Sequence, residues 1–123
     1  MRRQAKEKDG LKTVCSHSES LPFADDAFSR VIMVDALHHV CDHQETAQEL
    51  WRVVKPGGRI VIEEPDIGTA IVKVVAVAEK LALMRSHFIS PKRIQKLFLY
   101  PNATIRIERQ GYNAWVIIDK QLA

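Results

Sequence analysis

The sequence predicts an α/β protein: a mostly parallel sheet flanked by helices and ending in an antiparallel hairpin. Three observations carry that expectation. Val31-Ile32-Met33-Val34 is a short unbroken apolar run, the mark of a strand covered on both faces. A helical stretch and then a β-branched run, Arg59-Ile60-Val61-Ile62-Glu63-Glu64, follow it. Near the C-terminus Thr104 to Glu108 alternates, Arg109-Gln110-Gly111-Tyr112 turns, and Asn113 to Asp119 returns.

The first of these strands is framed by turn chemistry. Pro22 fixes its own φ and pushes Leu21 towards an extended conformation. Asp25-Asp26 forms a polar turn between two aromatic anchors, Phe23 and Phe28. Upstream, Arg2 to Lys8 favours helix, Asp9-Gly10 ends it, and Leu11 to Cys15 is a short strand candidate. Downstream, Asp42 is an N-cap for a helix from about His43 to Val54, with Ala47, Leu50, Val53 and Val54 as its buried stripe. Lys55-Pro56-Gly57-Gly58 stops that helix and turns the chain. Thr69 to Met84 has no Gly or Pro and reads as a helix, apolar around its circumference and so buried on more than one side. Ser90-Pro91 caps and opens a last helix to about Phe98, which Pro101-Asn102 breaks.

With 123 residues the chain suits a single domain, 1–123, with a core of its own. Lys and Arg are scattered among acids and the net charge is only +3, which excludes the basic stripe of a nucleic-acid binder. Cys15 and Cys41 have no metal-binding spacing and read as free thiols in a reducing compartment. No apolar segment follows Met1-Arg2-Arg3, and the stretch from Ala70 to Met84 is broken by Lys73, Glu79 and Lys80. Neither a signal peptide nor a membrane span is expected, and a cytoplasmic location follows.

Ligands of open parallel sheets bind outside the carboxyl ends of the strands, so Asp35 to His39 and Glu64-Pro65-Asp66 bracket the expected crevice. His38-His39 is the sharpest chemical candidate, a catalytic base or substrate-orienting imidazole that titrates near neutral pH. The alternative is that one histidine packs under the loop and the other caps a backbone group. Asp35 and Glu64 either orient a substrate or hydrogen-bond neighbouring backbone. His38, His39 and His43 are close in sequence but not at a recognised metal spacing, so no metal is expected. Trp51, Trp115, Tyr100 and Tyr112 read as core and rim aromatics.

Several short signatures agree in register with one family. Glu19-Ser20-Leu21-Pro22-Phe23, Phe28, Ala36-Leu37-His38-His39-Val40, Leu50 to Arg59 and Glu64-Pro65 resemble the class I S-adenosylmethionine-dependent methyltransferases. The likeness is to the branch with the ubiquinone and menaquinone biosynthesis C-methyltransferases, and it covers roughly residues 1–66. It implies a Rossmann-like sheet, S-adenosylmethionine as cofactor and methyl transfer; the family often has a helical lid at 69–98, and the apolar composition of that stretch points to a small, hydrophobic acceptor. Cofactor contacts are then expected at His17, Ser18, Glu19, Asp35, Ala36 and Leu37, while the position of His38, His39 and Glu64 at the strand ends places catalysis at His38 and His39 and acceptor contacts at His39 and Glu64. At the position of His17 the family usually has Asp, which accepts from the adenine amino group; a neutral imidazole accepts through one nitrogen only. A surface histidine is the other reading.

The resemblance also implies that the family's first strand, glycine-rich turn and second strand would precede Met1, since Gly57-Gly58 follows a helix and Gly10, Gly68 and Gly111 stand alone. The chain then reads as an N-terminally truncated methyltransferase domain with an apolar edge at 31–34. The strand at 11–15 closes against that edge, or two copies pair into a symmetric dimer, or a separate chain completes the sheet. Self-association is the expectation. The alternative function is a catalytically silent interaction module that does not bind the cofactor alone.

Overall fold

In the computed structural model, residues 17–37, 40–65, 74, 77–78 and 89–122 are described. Their elements are β1 (Phe28–Val34), α1 (His43–Val53), β2 (Val54–Pro65), α2 (Pro91–Lys96), β3 (Ala103–Gln110) and β4 (Asn113–Lys120). The expected elements at 2–8 and 11–15 lie outside the described residues, as do His38, His39 and most of 69–84.

The four strands form one sheet in the order β1-β2-β4-β3. β1 and β2 are parallel, with Val31 opposite Ile60 and Val34 opposite Glu63. β4 runs antiparallel to both β2 and β3. The expected pairing of 31–34 with 60–63 and the terminal hairpin are therefore both present. Gly111-Tyr112 is the two-residue turn of that hairpin, with Gly111 at φ +61°.

Local chemistry sets the helix ends. The Asp42 side chain accepts from the Glu45 N–H at 2.9 Å and opens α1. The Ser90 hydroxyl accepts from the Arg93 N–H and Pro91 occupies the first turn of α2. At the far end of α1 the Lys120 amine donates to the carbonyls of Trp51 and Val54, both at 2.9 Å, and lies over the Trp51 ring. Trp51 in turn stacks on Tyr100, ring centroids 4.3 Å apart, so these aromatics serve packing.

Both helices feed one core cluster. Ala47 and Leu50 of α1, with Ile94 of α2 and Phe98 just beyond it, meet Ile60, Ile62, Val116 and Ile118 of the central strands. The opposite face of β1 is different. Val31 and Met33 are half-buried, but Ile32 is 69% and Val34 54% exposed. This corrects the expectation of a strand covered on both faces. An unbroken apolar run does not reveal how many layers pack on it, and here the described helices lie on one side.

Two further boundaries differ from expectation. Lys55-Pro56-Gly57-Gly58 is not a separate turn; it is the start of β2, where the pairing with β1 slips between Phe28 and Arg30. In the expected helix at 69–84 the described residues Val74, Val77 and Ala78 are helical but exposed, Val74 at 70% and Val77 at 60%. Burial on several sides is not what these positions show.

Candidate functional site

The parallel pairing brings the carboxyl ends of β1 and β2 to one edge of the sheet, and the register extends that edge across the hairpin. Val34 lies opposite Glu63, Glu63 opposite Trp115, and Trp115 opposite Glu108. Beyond this row the Asp35 N–H still donates to the Glu63 carbonyl at 2.8 Å. Asp35 itself takes φ +48°, a left-handed conformation that a non-glycine residue holds only when its surroundings fix it. The chain therefore turns sharply out of β1 at the head of the sheet.

Buried bonds fix the loop that follows. The carboxylate of Glu64, 2% exposed, accepts the N–H of Leu37, and His43 Nε2 donates to the Leu37 carbonyl at 3.1 Å. The same carbonyl accepts the Val40 N–H at 3.0 Å. Leu37 carries its side chain into the core, 1% exposed, so the loop is anchored by side chain and backbone together. Ala36 is half-buried and Asp35 exposed.

A second loop, 17–26, runs along α1. The Ser18 and Thr46 hydroxyls are 3.2 Å apart, and Thr46 is fully buried. Glu49 accepts the Leu21 N–H at 2.9 Å. Arg52 donates to Glu49, to the carbonyls of Leu21 and Phe23, and to Asp25. Those bonds hold the Glu49 carboxyl below its ordinary range, with Arg52 as the largest cause and the Leu21 N–H next. Glu49 first and then Asp25 hold the Arg52 guanidinium firmly protonated. Phe23 meets Phe28 edge to face at 5.0 Å, as anchors around the Asp25-Asp26 turn should.

Of the predicted site residues, the structure brings Asp35, Ala36, Leu37 and Glu64 to one edge. Ser18 and Glu19 are both half-buried, and Ser18 is bonded to the first half of α1; His17 is exposed and its carbonyl accepts the Ser20 N–H at 3.0 Å. His38 and His39 lie outside the described residues. Among the described residues no group of three or more His, Cys, Asp or Glu could hold a metal ion. No helix among them is long and apolar enough to cross a membrane.

Sequence reasoning missed two features. Trp115 and Ile117, with Glu108, Arg109 and Gln110, line a hollow of about 360 Å³ on the hairpin at this edge. Only the strand register reveals that Trp115 neighbours Glu63. Thr46, Glu49 and Arg52 were not recognised as the supports of the second loop, although their spacing of three sets them along one side of α1.

Towards the cofactor that the resemblance implies, Asp35 offers an exposed carboxylate and Ser18 and Glu19 a half-buried hydroxyl and carboxylate, polar groups of the kind that bond ribose hydroxyls and amines.

A family described as "Methyltransferase domain" matches residues 1–62. The ubiquinone/menaquinone biosynthesis C-methyltransferase of Geotalea daltonii is 44% identical over 46 residues, which are 37% of this chain and 20% of that protein. The chain thus spans about a fifth of the length of the curated relative it matches. Among solved structures, an S-adenosylmethionine-dependent methyltransferase from Thermotoga maritima superposes with TM-score 0.82 at 17% identity, covering 97% of this chain and 70% of that one. The Haloferax volcanii complex of a methyltransferase with its Trm112 activator gives TM-score 0.78 at 15% identity, with 98% and 68% covered. At these identities the superpositions speak for the fold.

Proposed function

This chain belongs to the class I S-adenosylmethionine-dependent methyltransferases, and from that premise we propose that it transfers a methyl group to a small, largely apolar acceptor. One observation carries the reading: the loop after β1, turned out at Asp35, is bound at Leu37 to the buried Glu64 of the adjoining parallel strand. That is a rigid ligand-facing edge of the kind open parallel sheets use.

Asp35, Ala36 and the Ser18-Glu19 loop, with His17 beside it, hold the cofactor in this reading. Leu37 anchors the first of these loops. S-adenosylmethionine, when bound, supplies an electrophilic methyl group. The chain's part is then to orient the acceptor, since positioning provides most of the acceleration in such a transfer. His38 and His39 follow Leu37 directly and are the groups that take a proton from the acceptor and hold it in line. Glu64 orients the acceptor through the loop it secures. The acceptor's apolar body lies against Trp115 and Ile117, whose hollow supports a small molecule, with Glu108, Arg109 and Gln110 as its polar rim.

The exposed face of β1, Ile32 and Val34, supports association of the chain with a second copy or a completing partner. Cys41, a free and exposed thiol, suits the reducing cytoplasm.

Calorimetric titration with S-adenosylmethionine and with S-adenosylhomocysteine tests the function. Saturable heat and a raised melting temperature are expected; no heat and no shift would leave the silent module as the reading. His39→Gln is expected to lose turnover with cofactor affinity unchanged. Light scattering at high and low concentration tests association, and a strictly monomeric mass at both refutes it.

A further inference from the structure

The two loops assigned to the cofactor come from distant parts of the chain, yet both are bonded to the first turns of one helix. His43 Nε2 reaches the Leu37 carbonyl at 3.1 Å, and the Thr46 hydroxyl meets Ser18 Oγ at 3.2 Å. His43 and Thr46 are three residues apart, which sets them one above the other on the helix surface, about 4.5 Å apart along its axis. The helix is stiff at this end: Asp42 caps it through the Glu45 N–H, and the Thr46 N–H donates to the Asp42 carbonyl at 3.1 Å.

Neither bond is one that packing alone requires. The Thr46 side chain is fully buried, where a hydroxyl needs a partner, and it finds one on a loop 28 residues upstream. The Leu37 carbonyl already accepts the Val40 N–H within its own loop, and the imidazole is a second donor to it.

We propose that His43 and Thr46 are positioning residues for the cofactor, which tie the Asp35–Leu37 loop and the Ser18-Glu19 loop to one rigid element and so set the span between them. This rests on the reading that these loops hold S-adenosylmethionine. Neither residue need touch the ligand. Each acts through the loop it holds, so its removal widens or blurs the span that the ligand must bridge.

The test is calorimetric titration of the intact chain with S-adenosylhomocysteine, comparing wild type with Thr46→Val, Thr46→Ser, His43→Phe and His43→Gln. Valine keeps the shape of threonine without its hydroxyl; serine keeps the hydroxyl. Phenylalanine keeps a ring without a donor; the glutamine amide restores one. Thr46→Val and His43→Phe are expected to weaken binding about five-fold, the scale of one hydrogen bond, while the serine and glutamine variants stay within about two-fold of wild type. Hydrogen exchange is expected to rise at 17–21 in Thr46→Val and at 35–37 in His43→Phe, with β4 unchanged in both.

Wild-type binding with unaltered affinity in Thr46→Val and His43→Phe overturns this inference alone. Equal weakening in the serine and glutamine variants overturns it too, because packing and not the hydrogen bond would then set affinity. No binding by wild type overturns the cofactor reading and the inference with it.

Discussion

The Glu64 carboxylate accepts the backbone N–H of Leu37 and so joins the heads of two neighbouring parallel strands. Both residues are almost completely buried, at 2% and 1% exposure. Glu64→Ala would leave a buried N–H without its acceptor, at a cost of about 1–3 kcal/mol. Glu64→Gln keeps an oxygen in place and is expected to cost less than half as much. Urea unfolding of the two variants measures the difference. Equal losses would show that the oxygen at this position does not hold the loop.

Arg52 binds the second loop with donors that only a guanidinium provides in one plane. Nε donates to Glu49 at 2.6 Å, while the two terminal nitrogens reach the Phe23 carbonyl at 2.7 Å and the Leu21 carbonyl at 3.1 Å. A lysine carries the charge but not the fork. Arg52→Lys is therefore expected to destabilise the fold by about 1–2 kcal/mol in urea, and Arg52→Ala by somewhat more. Proteolysis should cut the loop near Pro22 sooner in both variants. A lysine variant as stable as wild type would reduce Arg52 to a surface charge.

Acid sensitivity follows from the same contacts. Arg52 holds the Glu49 carboxyl below its ordinary value of 4.5, and Arg59 does the same for Asp119, ordinarily at 3.8. In each case the unfolded chain binds a proton more readily than the folded one. The stabilisation is then fully present above the ordinary values and is lost as pH falls through the lowered ones. Stability should be level with respect to these two groups above about pH 5 and fall below about pH 4. Glu49→Gln removes one of the two contributions and should make the fall shallower. An unchanged acid limb in urea titrations of that variant would contradict the assignment.

The elements legible in the sequence are those whose signals are local. Asp42 and Ser90-Pro91 announce helix starts within four residues, and the cross-strand register follows from alternation around Gly111. The parallel pairing of 31–34 with 60–63 was readable because a helix lies between two β-rich runs. What escaped is long-range. Ser18 and Thr46 are 28 residues apart and carry no mark that they meet, and Arg52 near a helix end looks like ordinary dipole compensation. The bare face of Ile32 and Val34 escaped because apolar runs record what a strand could bury, not what packs on it. That Trp115 neighbours Glu63 and Glu108 is visible only in the strand pairing.

Gly57 and Gly58 are adjacent but are required for different reasons, which substitution should separate. Gly58 is buried, and a Cβ there would lie 2.8 Å from the carbonyl oxygens of both Lys55 and Ser29. Backbone atoms on two strands cannot both retreat, and the contact falls where the β1–β2 register slips. Gly57 sits at φ +83° with only the flexible Leu122 side chain near its Cβ position, at 3.4 Å. Gly57→Ala therefore meets the left-handed penalty, about 1 kcal/mol. Gly58→Ala meets a steric clash in packed backbone, about 1–3 kcal/mol, and should also loosen the start of β2 in hydrogen exchange. Thermal unfolding of the pair should rank Gly58→Ala as the less stable. The opposite order would mean that β1 and β2 do not approach so closely at Ser29.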